Sequence, residues 1–175
     1  SYPATEQQVQ ESMSLTYRWL LRSKAAMTRE ESLLFGIVQG GLQVKPRLQS
    51  LEQICSVDLP GYALGGFSVG EPIEIMHELV HEVAPKMPQQ KPRYLMGVGT
   101  PSDLVRAIGV GIDLFDCVTP TRHARNHHAF TSQGPVNLRN AAWREDASPL
   151  DAACDCTACT QFSRGVLRHL CQTNE

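Results

Sequence analysis

The hydrophobic residues of this chain recur at helical spacing in some stretches and as short extended runs in others. Thr5 is a candidate N-cap for a helix over residues 6–26, whose predicted apolar face carries Met13, Tyr17, Leu20 and Leu21. Three further helical patterns cover residues 46–56, 71–83 and 101–109. In the first of these, Leu48, Leu51 and Ile54 are predicted to point inward.

Four short apolar runs lie between these helices, and each is closed by glycine or a polar residue. They span residues 32–39, 61–66, 93–96 and 111–116, and they predict buried strands. Regular alternation of strands and helices is typical of a parallel sheet with right-handed crossovers. A complete eight-fold barrel takes roughly 250 residues, so four units predict half a barrel. The glycine patterns of nucleotide-cofactor folds and P-loops are missing.

The last apolar run ends at a carboxylate, Asp116. Two arginines, Arg122 and Arg125, follow it at a spacing of three. A carboxylate at the carboxyl end of a parallel strand, beside a cationic segment, suits attack on an anionic or sugar-phosphate substrate. The alternative is an aspartate that caps the next turn. Pro120 is predicted to end regular strand pairing shortly after Asp116.

The chain is locally cationic after this strand. Residues 117–144 contain no acid, but they contain four arginines and three histidines. Residues 129–131 and 136–139 flank a Gln133-Gly134-Pro135 turn and predict a hairpin. Because the whole chain has a net charge of −2, phosphate contact would depend on this local patch. An ordinary solvated surface is the alternative.

Three cysteines, Cys154, Cys156 and Cys159, form a C-x-C-x-x-C array. Thiols this close together can reach one ion, and thiolates at this density usually bind zinc. His169 and Cys171 are the local candidates for a fourth ligand, on a helix predicted over residues 161–170. This grouping favours a metal in a reducing compartment over a disulfide framework.

Composition sets two further limits. With 42% hydrophobic and 19% charged residues, the chain is expected to be globular. No apolar run approaches the roughly 20 residues of a membrane span, and the polar first ten residues predict no signal peptide. We therefore expect a cytoplasmic protein without membrane contact.

Five stretches, in order, resemble the tRNA-guanine transglycosylases, or queuine tRNA-ribosyltransferase family. They are FGIVQGG (35–41), GYALGGFSVGEP (61–72), KPRYLMGVG (91–99), GIDLFDCVTPTRHAR (111–125) and PLDAACDCTAC (149–159). The resemblance implies a (β/α)8 TIM barrel with a zinc-binding subdomain. Residues 1–125 would then form half of the barrel, and residues 126–175 a hairpin and zinc-binding subdomain, incomplete at the C-terminus.

The resemblance also implies a reaction, in queuosine biosynthesis. Asp116 matches the family nucleophile, which attacks the ribose at the anticodon wobble position and displaces guanine. The covalent RNA ester is then resolved by a 7-deazaguanine. A carboxylate is a suitable partner for an oxocarbenium-like sugar. The residues that match the base-binding site are Gln39, Gly65, Gly66 and Met96, with plain core packing as the alternative for Met96.

Two segments match the family's RNA-contacting loops. Their residues are Gly97, Val98, Gly99, Thr100, Pro101, Ser102 and Asp103 in the first, and Thr121, Arg122, His123, Ala124 and Arg125 in the second. Glycines let backbone N–H groups approach phosphate, and arginines supply charge. The implied partner is a tRNA with guanine at the wobble position. The implied cofactor is Zn²⁺ on Cys154, Cys156 and Cys159.

Two family features have no match in this chain, namely a second aspartate that acts as general acid/base and a downstream histidine that is the fourth zinc ligand. We therefore expect the carboxyl-terminal half of an enzyme, inactive alone, that needs a missing N-terminal half and is a homodimer when complete. The competing class is a non-catalytic tRNA-binding or partner subunit of the family. Val69 resembles bacterial members, and its side chain would narrow the pocket and favour the smaller base preQ1 over queuine.

Overall fold

The computed structural model describes residues 3–29 and 31–173. The chain divides into two compact units, residues 1–117 and 118–175. The boundary predicted after Arg125, and the identities of the two predicted domains, stay predictions. No helix within the described ranges is long and apolar enough to cross a membrane.

The first unit alternates helix and strand, as the hydrophobic pattern predicts. Its helices are α1 (Glu6–Ala26), α2 (Val44–Cys55), α3 (Ile73–Val83) and α4 (Pro101–Gly109). Its strands are β1 (Phe35–Val38), β2 (Gly61–Leu64), β3 (Arg93–Leu95) and β4 (Leu114–Phe115). The strands pair in parallel in the order β1-β2-β3-β4. The predicted α/β fold with a parallel sheet is confirmed, and parallel pairing places all four carboxyl ends at one edge.

Helix α1 has the predicted bounds because Thr5 closes a capping box. The Thr5 hydroxyl accepts a hydrogen bond from the Gln8 N–H, and the Gln8 side chain accepts one from the Thr5 N–H. Leu20 is buried on the inner face of the helix. The prediction that Leu21 also faces inward is wrong, since 43% of it is exposed. One position along a helix turns a side chain by roughly 100°, which carries Leu21 away from the core.

The core of the first unit lies where helices α2 and α3 pack near the sheet. Its most deeply buried side chains include Val38, Ile54, Leu64, Val83 and Leu95. Strand β2 is buried along its whole length, as expected of a central strand in a covered parallel sheet. The helices pack in chain order, α1 against α2, α2 against α3 and α3 against α4.

The second unit contains an antiparallel hairpin and three short helices. Its elements are α5 (Thr119–Arg125), β5 (His128–Thr131), β6 (Gly134–Asn137), α6 (Thr157–Gln161) and α7 (Arg164–Thr173). The hairpin is confirmed, but its turn is Ser132-Gln133, so Gly134 and Pro135, predicted as turn residues, begin β6. The expectation of a loop over residues 121–125 is wrong, because Pro120 lies in the first turn of a helix, where its missing N–H has no cost.

The helix predicted over residues 161–170 is present as α7, but it begins at Arg164 and ends at Thr173. Helices α6 and α7 are separate, and the break between them contains Phe162 and Ser163. Ser163 forms an isolated β-bridge with Pro149, and the Arg164 N–H donates to the Ser148 carbonyl at 2.8 Å. These backbone bonds hold the break in an extended conformation.

Gly36 sets how closely helix α2 and the following loop approach strand β1, which gives a stability prediction. A Cβ on Gly36 would lie 2.6 Å from Cγ2 of Ile54 and 2.8 Å from Cδ1 of Leu59, and both side chains are buried. We expect Gly36→Ala to lower the free energy of unfolding by about 1–3 kcal/mol, the usual cost of overpacking a core. Urea titration followed by circular dichroism measures this change.

Gly109→Ala is the matched control for Gly36→Ala. Gly109 is the last residue of α4, and an added Cβ there meets no atom within 4 Å. Alanine has the higher helix propensity, so this variant should be neutral or slightly more stable. Equal stability of the two variants would contradict the close packing at Gly36.

Candidate active site and cysteine cluster

The carboxyl edge of the sheet gathers the candidate residues of the first unit. Those that follow the four strands are Gln39, Gly65, Gly66, Met96, Gly97 and Asp116. The pairing continues past the strand ends, since the Gly65 N–H donates to the Val38 carbonyl at 3.0 Å and the Met96 N–H to the Leu64 carbonyl at 3.1 Å. Residues just after neighbouring strands are therefore held side by side.

The Asp116 carboxylate is exposed at this edge and receives two hydrogen bonds on one oxygen. The Tyr94 hydroxyl donates to Asp116 Oδ1 at 2.6 Å, and the Gly97 N–H donates to the same oxygen at 2.8 Å. These two bonds hold the pKa of Asp116 below its usual value, and the bond from the Tyr94 hydroxyl has the larger effect. The side chain is therefore an anion at neutral pH, as a carboxylate nucleophile requires.

Two glycines shape the loop that supplies the backbone donor. Gly97 has φ of +74°, a left-handed conformation that suits glycine and directs its N–H at Asp116. At Gly99, a Cβ would lie 2.3 Å from Cβ of Cys117, so only glycine lets this loop lie directly against the residue after Asp116. The loop and the end of β4 are therefore packed as one structure.

Tyr94 is a candidate site residue that the sequence did not single out. It lies in the middle of β3, two positions before Met96. The bond to Asp116 raises the pKa of the Tyr94 hydroxyl, with burial as a smaller cause. Side chains two apart on a strand share a face, so the placement of Met96 near the site could have pointed to Tyr94.

The predicted base-binding residues Gln39, Gly65 and Gly66 lie in contact. A Cβ on Gly66 would fall 2.6 Å from Oε1 of Gln39, and one on Gly65 would fall 3.0 Å from its Nε2. The Gln39 N–H donates to the Ser50 hydroxyl at 3.0 Å, which fixes its backbone to helix α2. The Gln39 amide therefore lies directly against the glycine pair, whose Gly65 N–H is already bonded to the Val38 carbonyl.

A buried cation, Arg47 of helix α2, holds the two glycine turns together. Its guanidinium donates to the carbonyls of Gly41, Gly65 and Gly66 at 2.8, 3.0 and 3.4 Å, and lies 3.7 Å from the centre of the Phe67 ring. Burial lowers the pKa of Arg47 to about 10, partly offset by Glu71. The group remains charged at neutral pH and acts as a fixed clamp.

A cavity of about 770 Å³ lies beside these turns. Gln39, Gly40, Gly41 and Gly66 line it together with the first turns of α1 and α2. Of the predicted site residues, Gly65, Met96 and Asp116 are outside the described lining. The structure thus brings two of the four base-binding candidates, Gln39 and Gly66, to the cavity, and it places neither Met96 nor the Asp116 carboxylate there.

Within the predicted RNA loop of residues 97–103, two side chains are buried rather than exposed. Val98 is 3% and Asp103 is 5% exposed. Asp103 Oδ1 lies 2.7 Å from Nε2 of His77 on helix α3, and Oδ2 accepts the Thr100 hydroxyl. These two side chains do not fit direct RNA contact and instead hold the loop in shape. Gly97, Pro101 and Ser102 are exposed.

The predicted RNA-binding residues of the second unit lie on α5. Thr121, Arg122, Ala124 and Arg125 are exposed, and His123 is half-buried. Neither Arg122 nor Arg125 forms a salt bridge with an acid of the described chain. Their charges therefore face solvent and can meet an anionic partner.

The three cysteines of the array lie together, as predicted. The Sγ atoms of Cys154, Cys156 and Cys159 are all within 4.8 Å of one another. Two sulfurs bound to one zinc at about 2.3 Å lie about 3.8 Å apart, so the group fits a single ion after a small contraction. The described His169 and Cys171 are not members of this group.

The local environment favours a thiolate in the cysteine cluster. A hydrogen bond from the Cys159 N–H, and to a smaller extent one from the Cys154 thiol, lowers the pKa of Cys156, whereas burial raises the pKa of Cys159 to about 11.

The Asp151 carboxylate accepts hydrogen bonds from the N–H groups of Ser132 and Ala153 at 2.6 and 2.9 Å. Asp151, which the sequence did not single out, thereby ties the hairpin turn to the segment that carries the cysteines.

The protein is an α/β protein with a parallel sheet. It carries an ionised carboxylate at the carboxyl edge of that sheet and a three-cysteine cluster able to hold a metal. The chain matches a family model described as queuine tRNA-ribosyltransferase over residues 1–175. The chain belongs to this family, which confirms the resemblance carried by the five sequence stretches.

Two relatives illustrate the match. The chain is 51% identical over 174 residues to a queuine tRNA-ribosyltransferase of Francisella tularensis subsp. tularensis (strain WY96-3418), covering 99% of the chain and 47% of the relative. It is 53% identical over 174 residues to one of Marinobacter nauticus (strain ATCC 700491 / DSM 11845 / VT8), with the same coverage. The chain spans about half the length of the curated relatives it matches.

Tyr94→Phe tests the electrostatics of the carboxylate. Loss of the hydroxyl donor should raise the pKa of Asp116 toward its ordinary value, while the Gly97 N–H keeps it from rising fully. A lowered pKa stabilises the fold above the unfolded pKa of aspartate, and this contribution disappears as pH falls through the folded pKa. The stability difference between variant and parent should therefore shrink in acid.

Carboxyl carbon NMR across a pH titration measures the pKa of Asp116 in these proteins. Tyr17→Phe, on helix α1, is the control and should leave that pKa unchanged. An unchanged pKa in Tyr94→Phe would show that the tyrosine bond does not govern the carboxylate.

The cysteine cluster gives a metal prediction. We expect one zinc per chain, and Cys156→Ser should reduce the metal content and loosen the segment after Pro149, because metal binding there is coupled to folding. Elemental analysis and limited proteolysis measure the two effects. Cys55→Ser, outside the cluster, should keep the zinc, and well under one zinc in the parent would contradict the site. His169→Ala and Cys171→Ser report whether either residue completes the coordination.

Proposed function

We propose that this chain carries the nucleophile of a tRNA-guanine transglycosylase, which exchanges guanine at the anticodon wobble position for a 7-deazaguanine in queuosine biosynthesis. The observation that carries the proposal is the Asp116 carboxylate, held ionised by Tyr94 and Gly97 in a chain of this family. An exposed carboxylate at the carboxyl edge of a parallel sheet is where α/β enzymes place reacting groups.

The proposed reaction proceeds in two displacements at one ribose carbon. An Asp116 oxygen forms a bond to that carbon as the bond to guanine breaks, and the departing base takes the electron pair and a proton from a general acid outside this chain. The incoming base gives a proton to the same group, now a base, and its anion attacks the ribose carbon, while the carboxylate leaves with the electrons of the ester bond. Covalent catalysis by a carboxylate divides one difficult exchange into two easier steps.

The base would bind beside the glycine pair. Gln39, the backbone of Gly65 and Gly66, and Met96 are the proposed contacts, and the clamp at Arg47 supports them by fixing both turns. Val69 follows this turn with 47% of its surface exposed, and its N–H donates to Glu71. The smaller base preQ1 is the proposed substrate because the chain resembles bacterial members at Val69.

The RNA would contact exposed parts of both units. In the first unit we propose the backbone of residues 97–102, and in the second residues 121–125, where Arg122 and Arg125 offer unpaired charge to phosphates. Zn²⁺ held by Cys154, Cys156 and Cys159 would be structural, since a thiolate-rich set serves to fix a fold.

A closed (β/α)8 barrel is the proposed complete fold. Among the described strands, β1 and β4 each pair on one side only, and an open strand edge exposes unpaired backbone groups. Further strands, supplied by an N-terminal half, would satisfy both edges. The homodimer of the complete enzyme and its cytoplasmic location stay predictions.

Adduct formation tests this function against the alternative of a non-catalytic tRNA-binding subunit. In a protein completed with the part of the Francisella relative that this chain does not match, tRNA should form a covalent band with the parent on a denaturing gel. Asp116→Asn should abolish the band, because an amide is a far weaker nucleophile. Residues 1–175 alone should give neither adduct nor guanine exchange.

Asp113→Asn is the matched control for the adduct experiment. Asp113 accepts the Arg93 N–H at 2.9 Å, a bond that asparagine can also accept, so this variant should keep the adduct. Binding of tRNA without any adduct in the completed parent would favour the non-catalytic subunit. An adduct in Asp116→Asn would remove Asp116 from the proposed role.

A further inference from the structure

The second unit carries a group of three rings, the half-buried His123 and the exposed His128 and Phe130, termed here the aromatic platform. The ring centres of His123 and Phe130 lie 4.9 Å apart with their planes inclined by 31°, and those of His123 and His128 lie 5.8 Å apart. Phe130 is 44% exposed and His128 is also exposed. Phe130 therefore presents part of its ring to solvent beside two imidazole rings.

Strand alternation and a reversal of the chain build the platform. His128 and Phe130 are two apart on β5 and share its exposed face, and their register partners on β6, Asn137 and Pro135, are exposed as well. His127 adopts a left-handed φ of +61°, and its N–H donates to the Ala124 carbonyl at 2.9 Å. This turn brings α5 back against β5 and lays His123 on Phe130.

The charge around the platform indicates the occupant. The rings lie within residues 117–144, which contain no acid but four arginines and three histidines. Arg122 and Arg125, on the same helix as His123, are exposed and form no salt bridge with a described acid. Flat rings beside unpaired cations are the combination by which proteins bind single-stranded nucleic acid, with bases on the rings and phosphates on the cations.

We propose that the aromatic platform stacks an unpaired nucleobase of RNA, with the exposed Phe130 as the ring that receives the base. This subsite rests on the proposed function, because it assumes an RNA substrate. It deepens that function by extending RNA contact from the charged helix α5 to the hairpin. Phe130 contributes through its ring face, whereas Arg122 and Arg125 contribute through charge.

Binding of two short probes separates stacking from charge. One is an eight-residue uridine oligonucleotide, and the other is an abasic oligonucleotide with the same number of phosphates. Phe130→Ala in the 175-residue chain should weaken uridine binding by about 5- to 150-fold, the usual range for loss of one stacked base. It should leave binding of the abasic probe unchanged.

Salt dependence gives a second, independent readout. Arg122→Ala should reduce the slope of log affinity against log salt by about 0.7, the value for one lost phosphate contact on a single strand. Phe130→Ala should lower affinity while keeping the slope, because stacking releases no counterions. Phe130→Trp should retain binding. Val166→Ala, at a site 45% exposed on α7 and outside the acid-free segment, is the matched surface control.

Each outcome of these experiments decides the proposal. If Phe130→Ala binds the uridine probe as the parent does, or loses affinity equally for both probes, the platform does not stack bases.

Phe130→Leu keeps an apolar packing group but lacks a ring, so it should fold like the parent and bind the uridine probe weakly. Parent-like binding by this variant would also overturn the proposal. If the parent binds neither probe, the RNA substrate and the platform both fail. Failure of the Asp116 adduct with intact base-dependent binding would leave the platform standing.

Discussion

The candidate site depends on burying one charge, the Arg47 guanidinium, where it can be fully satisfied. An isolated charge in the interior is strongly disfavoured, and partner groups must replace the lost water. Here three backbone carbonyls of two glycine turns and the face of Phe67 supply that replacement. The turns cannot move apart without leaving a buried cation unpaired, so the ends of β1 and β2 are held in one geometry.

Much of the fold was predictable because local signals agree with the tertiary structure. Thr5 opens a capping box, and the apolar spacing of residues 6–26 matches the observed helix α1. The misses come from residues with two common uses. Residues 121–125 form a helix rather than the expected loop, because a proline that ends strand pairing also fits the first turn of a helix. Leu20 and Leu21 are neighbouring apolar residues of helix α1, but the buried face of that helix includes only Leu20 of the two.

The candidate site was predictable only where a residue type announces its chemistry. Type and spacing indicate the cysteine cluster, but they leave Asp116 open between a reacting carboxylate and a turn cap, and the family resemblance supplied its role. Arg47 could not be found in this way, because arginine ordinarily reads as a surface residue, and Tyr94 is an ordinary strand residue until β4 places Asp116 against it. Asp103 was predicted to contact RNA because its segment matches an RNA-contacting loop of the family. In the structure it is buried and pairs with the His77 side chain.

The paired donors on Asp116 have a consequence for the reverse direction of the proposed chemistry. Hydrogen bonds that lower the pKa of a carboxylic acid stabilise its anion, which makes the carboxylate a weaker attacking group but a better leaving group. An exchange enzyme must release its ester as readily as it forms it, because a stable ester would trap the RNA on the protein. The Tyr94 and Gly97 contacts therefore suit a reversible transfer better than a one-way hydrolysis.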